Sequence, residues 1–283
     1  MSKKIIACID HSSLSKSVCD WASWSSIHFN KPLLFLHALD NVPSISRANL
    51  SGNLESDSRE KLLEELAKLD EQRNKIALEH GKHLLEDVKK RALTKGVKDV
   101  FCLQRHERLL ETVVALETEI SLLVIGRQGE QTQAYPTQIG SQLETTIRGL
   151  NCPILVAASN FRPPKQVLFA FDASPTAFRI LNRLVNNSDL LRGLVVHLIM
   201  VNHSAHKPQF KEAASLLKSA EINVTTCLFQ GSVEDTIFHY IEENNIDLII
   251  MGAYGHSRIR QFLIGSTTSE MLHKTPISLL LVR

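Results

Sequence analysis

Apolar residues in this chain cluster in short continuous runs separated by longer stretches of helical periodicity. Residues 4–10 read Lys-Ile-Ile-Ala-Cys-Ile-Asp and residues 166–172 read Gln-Val-Leu-Phe-Ala-Phe-Asp. Each is a branched, apolar run stopped by an aspartate. Leu33–Leu36, followed by His37-Ala38-Leu39-Asp40, matches Leu194–Val201, which ends at Asn202. Ile120–Gly126 matches Ile246–Gly252. Ile139-Gly140-Ser141 leads to Pro153–Val156 as Ile264-Gly265-Ser266 leads to Pro276–Val282. Four landmarks repeated in one order mark an internal duplication, the first thing to seek in a chain of this length.

Runs that are apolar throughout predict strands buried on both faces. Between them lie helical spacings: Val233, Ile237 and Ile241 in one copy, Leu109, Val113 and Leu116 in the other. Ser232, with Asp235 three positions on, suits a helix start. Strands alternating with helices predict parallel sheets with right-handed crossovers, about five strands and four helices per copy. The paired prolines of Asn160-Phe161-Arg162-Pro163-Pro164 mark the linker. The expected domains are therefore 1–160 and 165–283. Each copy ends in an apolar strand, Ile154–Ala157 and Ile277–Val282, and such edges invite pairing. The two sheets are expected to join through these last strands.

The copies differ in length. Asp10 to Gly126 spans 116 positions and Asp172 to Gly252 spans 80, so the first copy carries about 36 extra residues. They fall between Pro43 and Gly96. Asp57 with Glu60 resembles a capping box, and Leu62, Leu66 and Leu69 share a face of a charged stretch. An elongated second helix lying on the sheet is the plain expectation; a partner-binding helix is the alternative.

Composition narrows the class. The chain has 283 residues, 43% hydrophobic and 22% charged, with 32 basic and 30 acidic side chains. That is globular composition, with no basic excess of the kind nucleic-acid binding requires. The apolar runs are a handful of residues, against about 20 for a membrane span. The run after Lys3 and Lys4 stops at Asp10, short for a signal peptide. A soluble, cytoplasmic protein is expected. Cys8, Cys19, Cys102, Cys152 and Cys227 are too sparse for metal ligation or a disulfide framework. Cys8 and Cys227 read as inert core thiols.

In open parallel sheets, ligands bind beyond the carboxyl ends of the strands, where strand order reverses. In the second copy that place holds Gly252-Ala253-Tyr254-Gly255-His256-Ser257-Arg258, then Gly265-Ser266-Thr267-Thr268. Glycines allow close backbone approach, and a helix opening on Gly-Ser-Thr-Thr offers N–H groups and hydroxyls to phosphate. Asp172 has two readings, a ligand for ribose or adenine and a cap for the helix opened by Ser174-Pro175. His80 and His83 have i, i+3 spacing without an evident third metal ligand, so they read as surface residues. His11 with Ser12-Ser13 lacks a partnered acid and base, and capping is the better reading. No Walker-type Gly-Lys-Ser/Thr is present.

The sequence resembles a tandem universal stress protein over nearly its whole length, apart from residues 44–78. The spacing of Gly252, Gly255, Gly265 and Ser266 matches the nucleotide motif of that family's ATP-binding branch. The resemblance implies two five-stranded parallel sheets flanked by helices, an adenine-nucleotide alpha-hydrolase-like, Rossmann-like α/β fold. It implies that Asp172, Ala173 and the backbone around Met200 face the adenosine. Met251, Gly252, Tyr254 and Gly255 would line the phosphate loop, and Gly265, Ser266, Thr267 and Thr268 would hold the phosphates. The implied ligand is ATP or another adenine nucleotide, with or without Mg.

The first copy keeps Asp10, Gly126, Gly129, Gly140 and Ser141, but ten residues separate Gly129 from Gly140 instead of nine. That loop carries Glu130 and Pro136 and no base. The longer loop is expected to displace the helix that Gly140-Ser141 opens, so this site is expected to be degenerate, with one nucleotide per chain in the second copy. No general base, metal set or nucleophile is evident. The resulting expectation is a stress-response sensor or regulator acting through conformation or an unknown protein partner. A slow ATPase or nucleotidyl transferase and a ligand-free scaffold are the rivals, and a homodimer is left open.

Overall fold

The computed structural model describes residues 3–39, 56–130, 139–187, 191, 193–202, 204–253 and 266–283. In the first half, the elements run β1 (Lys4–Cys8), α1 (Ser15–His28), β2 (Leu33–Ala38), α2 (Ser56–Thr94), β3 (Val100–Arg105), α3 (Leu109–Ala115), β4 (Ile120–Gly126), α4 (Ser141–Gly149) and β5 (Ile154–Ala157). The second half follows with β6 (Gln166–Ala170), α5 (Pro175–Asn186), β7 (Val195–Val201), α6 (Lys207–Ser219), β8 (Asn223–Phe229), α7 (Val233–Glu243), β9 (Leu248–Gly252), α8 (Ser266–Lys274) and β10 (Ser278–Val282).

The ten strands form one open sheet in the order β3-β2-β1-β4-β5-β10-β9-β6-β7-β8. All neighbours are parallel except β5 and β10, which run antiparallel with Leu155 opposite Leu280. The halves thus join through their last strands, as the apolar edges predict, and neither edge is left open at the junction.

Alternation within strands builds two cores. Ile5, Ala7 and Phe35 face a layer made by α1, α2, α5 and α6, with Trp21, Leu85, Val88, Ile180 and Phe210 buried in it. Ile6, Leu34 and Leu36 face the opposite layer of α3, α4, α7 and α8, around Val113, Ile147, Ile237 and Leu272. Period-two side-chain direction places successive residues in different cores, which is why the strands read as unbroken apolar runs.

The inserted helix α2 has 39 residues, about 58 Å at 1.5 Å per residue. Among its described side chains, the buried ones lie in its C-terminal part. Leu85, Val88 and Ala92 are buried there, and Arg91 holds Asp20 of α1 with two hydrogen bonds of 2.7 and 2.8 Å. Lys95 adds a 3.0 Å ion pair to the same carboxylate. Burial would raise the Asp20 carboxyl, but these cations outweigh it and hold it below its ordinary value.

The linker is packed rather than loose. Phe161 sits edge-on to Trp21 at 5.1 Å between ring centroids. Arg127, directly after β4, crosses the junction. Its guanidinium donates to the carbonyls of Thr275 and, at 2.8 Å, of Ile277, at the exit of α8. A cation there complements the negative end of the helix. Burial pulls the Arg127 guanidinium down to about 10, so it stays charged at neutral pH.

Candidate functional site

A cavity of about 560 Å³ opens in the first half, beyond the carboxyl ends of β1, β2 and β4. Chain order leaves β1 toward β2 on one side and returns to it with β4 on the other. This is a topological switch point, where the sheet leaves a crevice.

Asp10, at the end of β1, organises the floor. Its Oδ1 accepts the Ser12 backbone N–H at 3.1 Å and the Ser12 hydroxyl at 2.5 Å. Its Oδ2 accepts the Glu130 N–H at 3.1 Å, tying down the loop after β4. The Ser15 hydroxyl donates to its carbonyl. Gly129 permits this closure, since a Cβ there would lie 3.3 Å from Asp10 Oδ2. The N–H of Gly140 donates to the Arg127 carbonyl at 3.0 Å, and a Cβ on Gly140 would lie 3.3 Å from the Gly129 nitrogen. The start of α4 is therefore held against the glycine turn. Gly140 keeps this contact with the glycine turn across the ten-residue loop. Residues 131–138, which include Pro136, lie outside the described residues, as does the side chain of Ser141.

The fourth wall was not legible as such in the sequence. Arg73, Ile76, Ala77 and His80 of α2 line the cavity together with His11 and His37. The helix comes this close because residue 81 is glycine: a Cβ there would lie 2.2 Å from Gln104 Nε2 and 2.5 Å from His37 Nδ1. The His11 ring stands edge-on to His37 at 5.7 Å and to His80 at 6.2 Å. His80 is exposed, as expected, yet it belongs to the cavity; His83 does not line it. His37 is 3% exposed and its Nδ1 has no hydrogen-bond partner among the described residues. Burial, with the nearby His11 ring, holds this imidazole below its ordinary pKa, against a smaller opposing pull from Asp10. Cys8 is half-buried, packs against the core and also lines the cavity, and burial, with Asp10 nearby, pushes its thiol up. Cys227 is half-buried too, its sulfur 3.5 Å from the Tyr240 hydroxyl.

In the second half, Asp172 ends the turn after β6 and accepts the Ser174 N–H at 2.9 Å. The cap of α5 is Ser174 itself, which accepts the Ala177 N–H at 3.1 Å, with Pro175 in the first turn. Ala173 between them sits at φ 59°, a left-handed conformation that costs an ordinary residue about 1–2 kcal/mol. Met200 and Met251 are buried, at 1% and 6% exposure, and Gly252 ends β9. Ser266 opens α8 and is exposed. The Thr267 hydroxyl donates to Glu234 Oε1 at 2.8 Å, and that of Thr268 to the Gly252 carbonyl at 3.3 Å. The ends of β6 and β9 and the start of α8 are thus neighbours. Tyr254, Gly255, Gly265 and the bases His256, Arg258 and Arg260 lie outside the described residues.

Among the described residues, no group of three or more His, Cys, Asp or Glu side chains is placed to hold a metal ion. No helix among them is long and apolar enough to cross a membrane.

Comparison with known proteins agrees with this architecture. The model of the universal stress protein family matches residues 1–158 and 200–283. A universal stress protein of Synechocystis sp. is 31% identical over 287 residues, covering 99% of this chain and all of that one. A universal stress protein structure from Archaeoglobus fulgidus superposes with a TM-score of 0.71 at 16% identity, covering 100% of this chain and 97% of its own. A functionally unknown protein from Pseudomonas aeruginosa PAO1 superposes with a TM-score of 0.66 at 13% identity, covering 99% of this chain and 92% of its own. At those identities the two structures speak for the fold.

Proposed function

The chain belongs to the universal stress protein family, and on that premise we propose that it binds an adenine nucleotide in each half. Residues 1–160 and 165–283 are read as its two domains. The observation that carries the reading is the first-half cavity, which has the volume of a small-molecule site and lies at the switch point of the sheet.

There Asp10 supplies a carboxylate for ribose hydroxyls or a base amino group. The turn from Gly126 to Glu130 and the start of α4 supply backbone for phosphates. In the second half Asp172, Ala173, Met200, Met251 and Gly252 play the same parts, with Ser266 to Thr268 on the phosphates. A phosphate there takes over the Thr267 hydroxyl that Glu234 now holds. A magnesium ion, where used, arrives with the nucleotide.

The output is conformational or through a protein partner in the cytoplasm. No side chain in the cavity is arranged as a nucleophile with its base: the Ser12 hydroxyl is spent on Asp10. Equilibrium binding of labelled ATP to the purified chain, followed by a steady-state phosphate-release assay, tests this. Binding without sustained release is expected. Steady turnover would favour an enzyme, and no binding would favour a scaffold.

A further inference from the structure

The insertion that distinguishes the first half also builds its cavity. Arg73, Ile76, Ala77 and His80 follow at steps of three, one and three, so they share one helix face, and that face lines the cavity. Ile76 is 55% exposed in the charged stretch Glu71-Gln72-Arg73-Asn74-Lys75. Single exposed apolar residues are common. This one, however, borders a cavity that also holds Ala77, Ala38 and Leu39.

The polar groups beside it are the Arg73 guanidinium of the same face and three imidazoles. The His11 ring stands edge-on to His80, and the buried His37 leaves Nδ1 without a partner among the described residues. An apolar side chain, small methyl groups and imidazole ring edges suit a flat heteroaromatic ring with a hydrogen-bonding rim. The glycine turn and the start of α4, at the other end, are the phosphate-compatible part.

We propose that α2 is the base-reading wall of the first cavity: a purine ring seats against Ile76 and Ala77, with His11 and His80 at its rim. This rests on the reading of the cavity as a nucleotide site. The helix in the same position of the second half, α6, has 13 residues. Base discrimination is therefore a property of the first site.

The test uses the full chain carrying Gly265→Val, which silences the second motif, with and without Ile76→Ala/His80→Ala. Both α2 positions are exposed, and alanine is the best helix former, so the fold is kept; far-UV circular dichroism and a thermal melt check it. Where Gly265→Val does not fold, Ser266→Ala/Thr267→Ala replaces it. Calorimetric titration with ATP and with inorganic tripolyphosphate is the readout, alongside amide exchange of residues 70–84. At least a tenfold loss of ATP affinity, unchanged tripolyphosphate affinity, and ATP-dependent protection of 70–84 only in the unsubstituted α2 are expected. Unchanged ATP affinity without protection would overturn the proposal and leave the nucleotide reading standing. Equal losses for ATP and tripolyphosphate would overturn it by assigning α2 to phosphates. No ATP binding to the Gly265→Val parent would overturn both.

Discussion

His37 and Met200 hold the same place in the two halves. The Leu36 carbonyl accepts the Ile9 N–H at 2.8 Å, and the Ile199 carbonyl accepts the Phe171 N–H at 2.8 Å; the next residue is His37 in one case and Met200 in the other. The second half buries its imidazole elsewhere, at His197. Both of that ring's nitrogens are engaged, with the Tyr240 hydroxyl at 2.8 Å and Gln166 Oε1 at 2.7 Å. The first half leaves His37 Nδ1 without a partner among the described residues, at a cavity wall. One scaffold therefore carries a completed polar network in one copy and an incomplete one in the other. Buried polar groups without partners are costly, and their persistence points to a ligand or a functional constraint. The same contrast recurs one residue beyond each glycine that ends the fourth strand, where Arg127 spans the junction and Ala253 is buried and reaches nothing comparable.

Exchanging residues between the halves sharpens this contrast. The largest effect is expected for Arg127→Ala, which gives the first half its counterpart's residue. It leaves the Thr275 and Ile277 carbonyls without their charged donor. The cost should be about 3 kcal/mol, from two hydrogen bonds to a charged group, read by urea unfolding. A loss below about 0.5 kcal/mol, the size of an ordinary surface change, would show that the bridge contributes nothing to the junction.

Next come the two aspartates. Asp10→Ala releases both the Ser12 turn and the Glu130 loop and should cost about 2–3 kcal/mol. Asp172→Ala releases only the Ser174 N–H among the described contacts and should cost about 1 kcal/mol. Calorimetric melts of the two variants side by side decide it. Equal losses would mean that Asp10 does not organise its loop.

The smallest effect is in pH dependence. His37 and His197 are both held below their ordinary pKa of 6.5, in each case by burial first. The unfolded chain then binds more protons than the folded one just below that value. Stability is whole above about pH 6.5 and is lost as pH falls beneath it. His37→Met, a swap to the residue of the second half, should change stability at pH 8 by less than about 1.5 kcal/mol. It should also shallow the decline between about pH 6.5 and 5, leaving the part due to His197. Urea midpoints at pH 8 and 5.5 measure this. An unaltered decline would remove His37 from the account.

The fold was legible because buried parallel strands write themselves as short apolar runs, and a duplication writes each run twice. The cap at Ser232, which accepts the N–H of Asp235, was legible as well, whereas the cap of α5 is Ser174 and not Asp172, whose carboxylate accepts the Ser174 N–H. The role of α2 was not legible. The spacing of Arg73, Ile76 and His80 names a helix face but not what that face opposes, and the close approach depends on one unremarkable glycine, Gly81. At the first phosphate loop, the spacing of Gly129 and Gly140 likewise does not show that the two pack together. Asp10 accepts the Glu130 N–H there, and the Arg127 carbonyl accepts that of Gly140.

The central claim is that the first cavity takes a nucleotide. Titration calorimetry of the full chain with ATP, before and after Gly265→Val, tests it most directly. The account predicts a stoichiometry near two that falls to near one, with the remaining site abolished by adding Asp10→Ala. Complete loss of binding with Gly265→Val in a folded chain would contradict it.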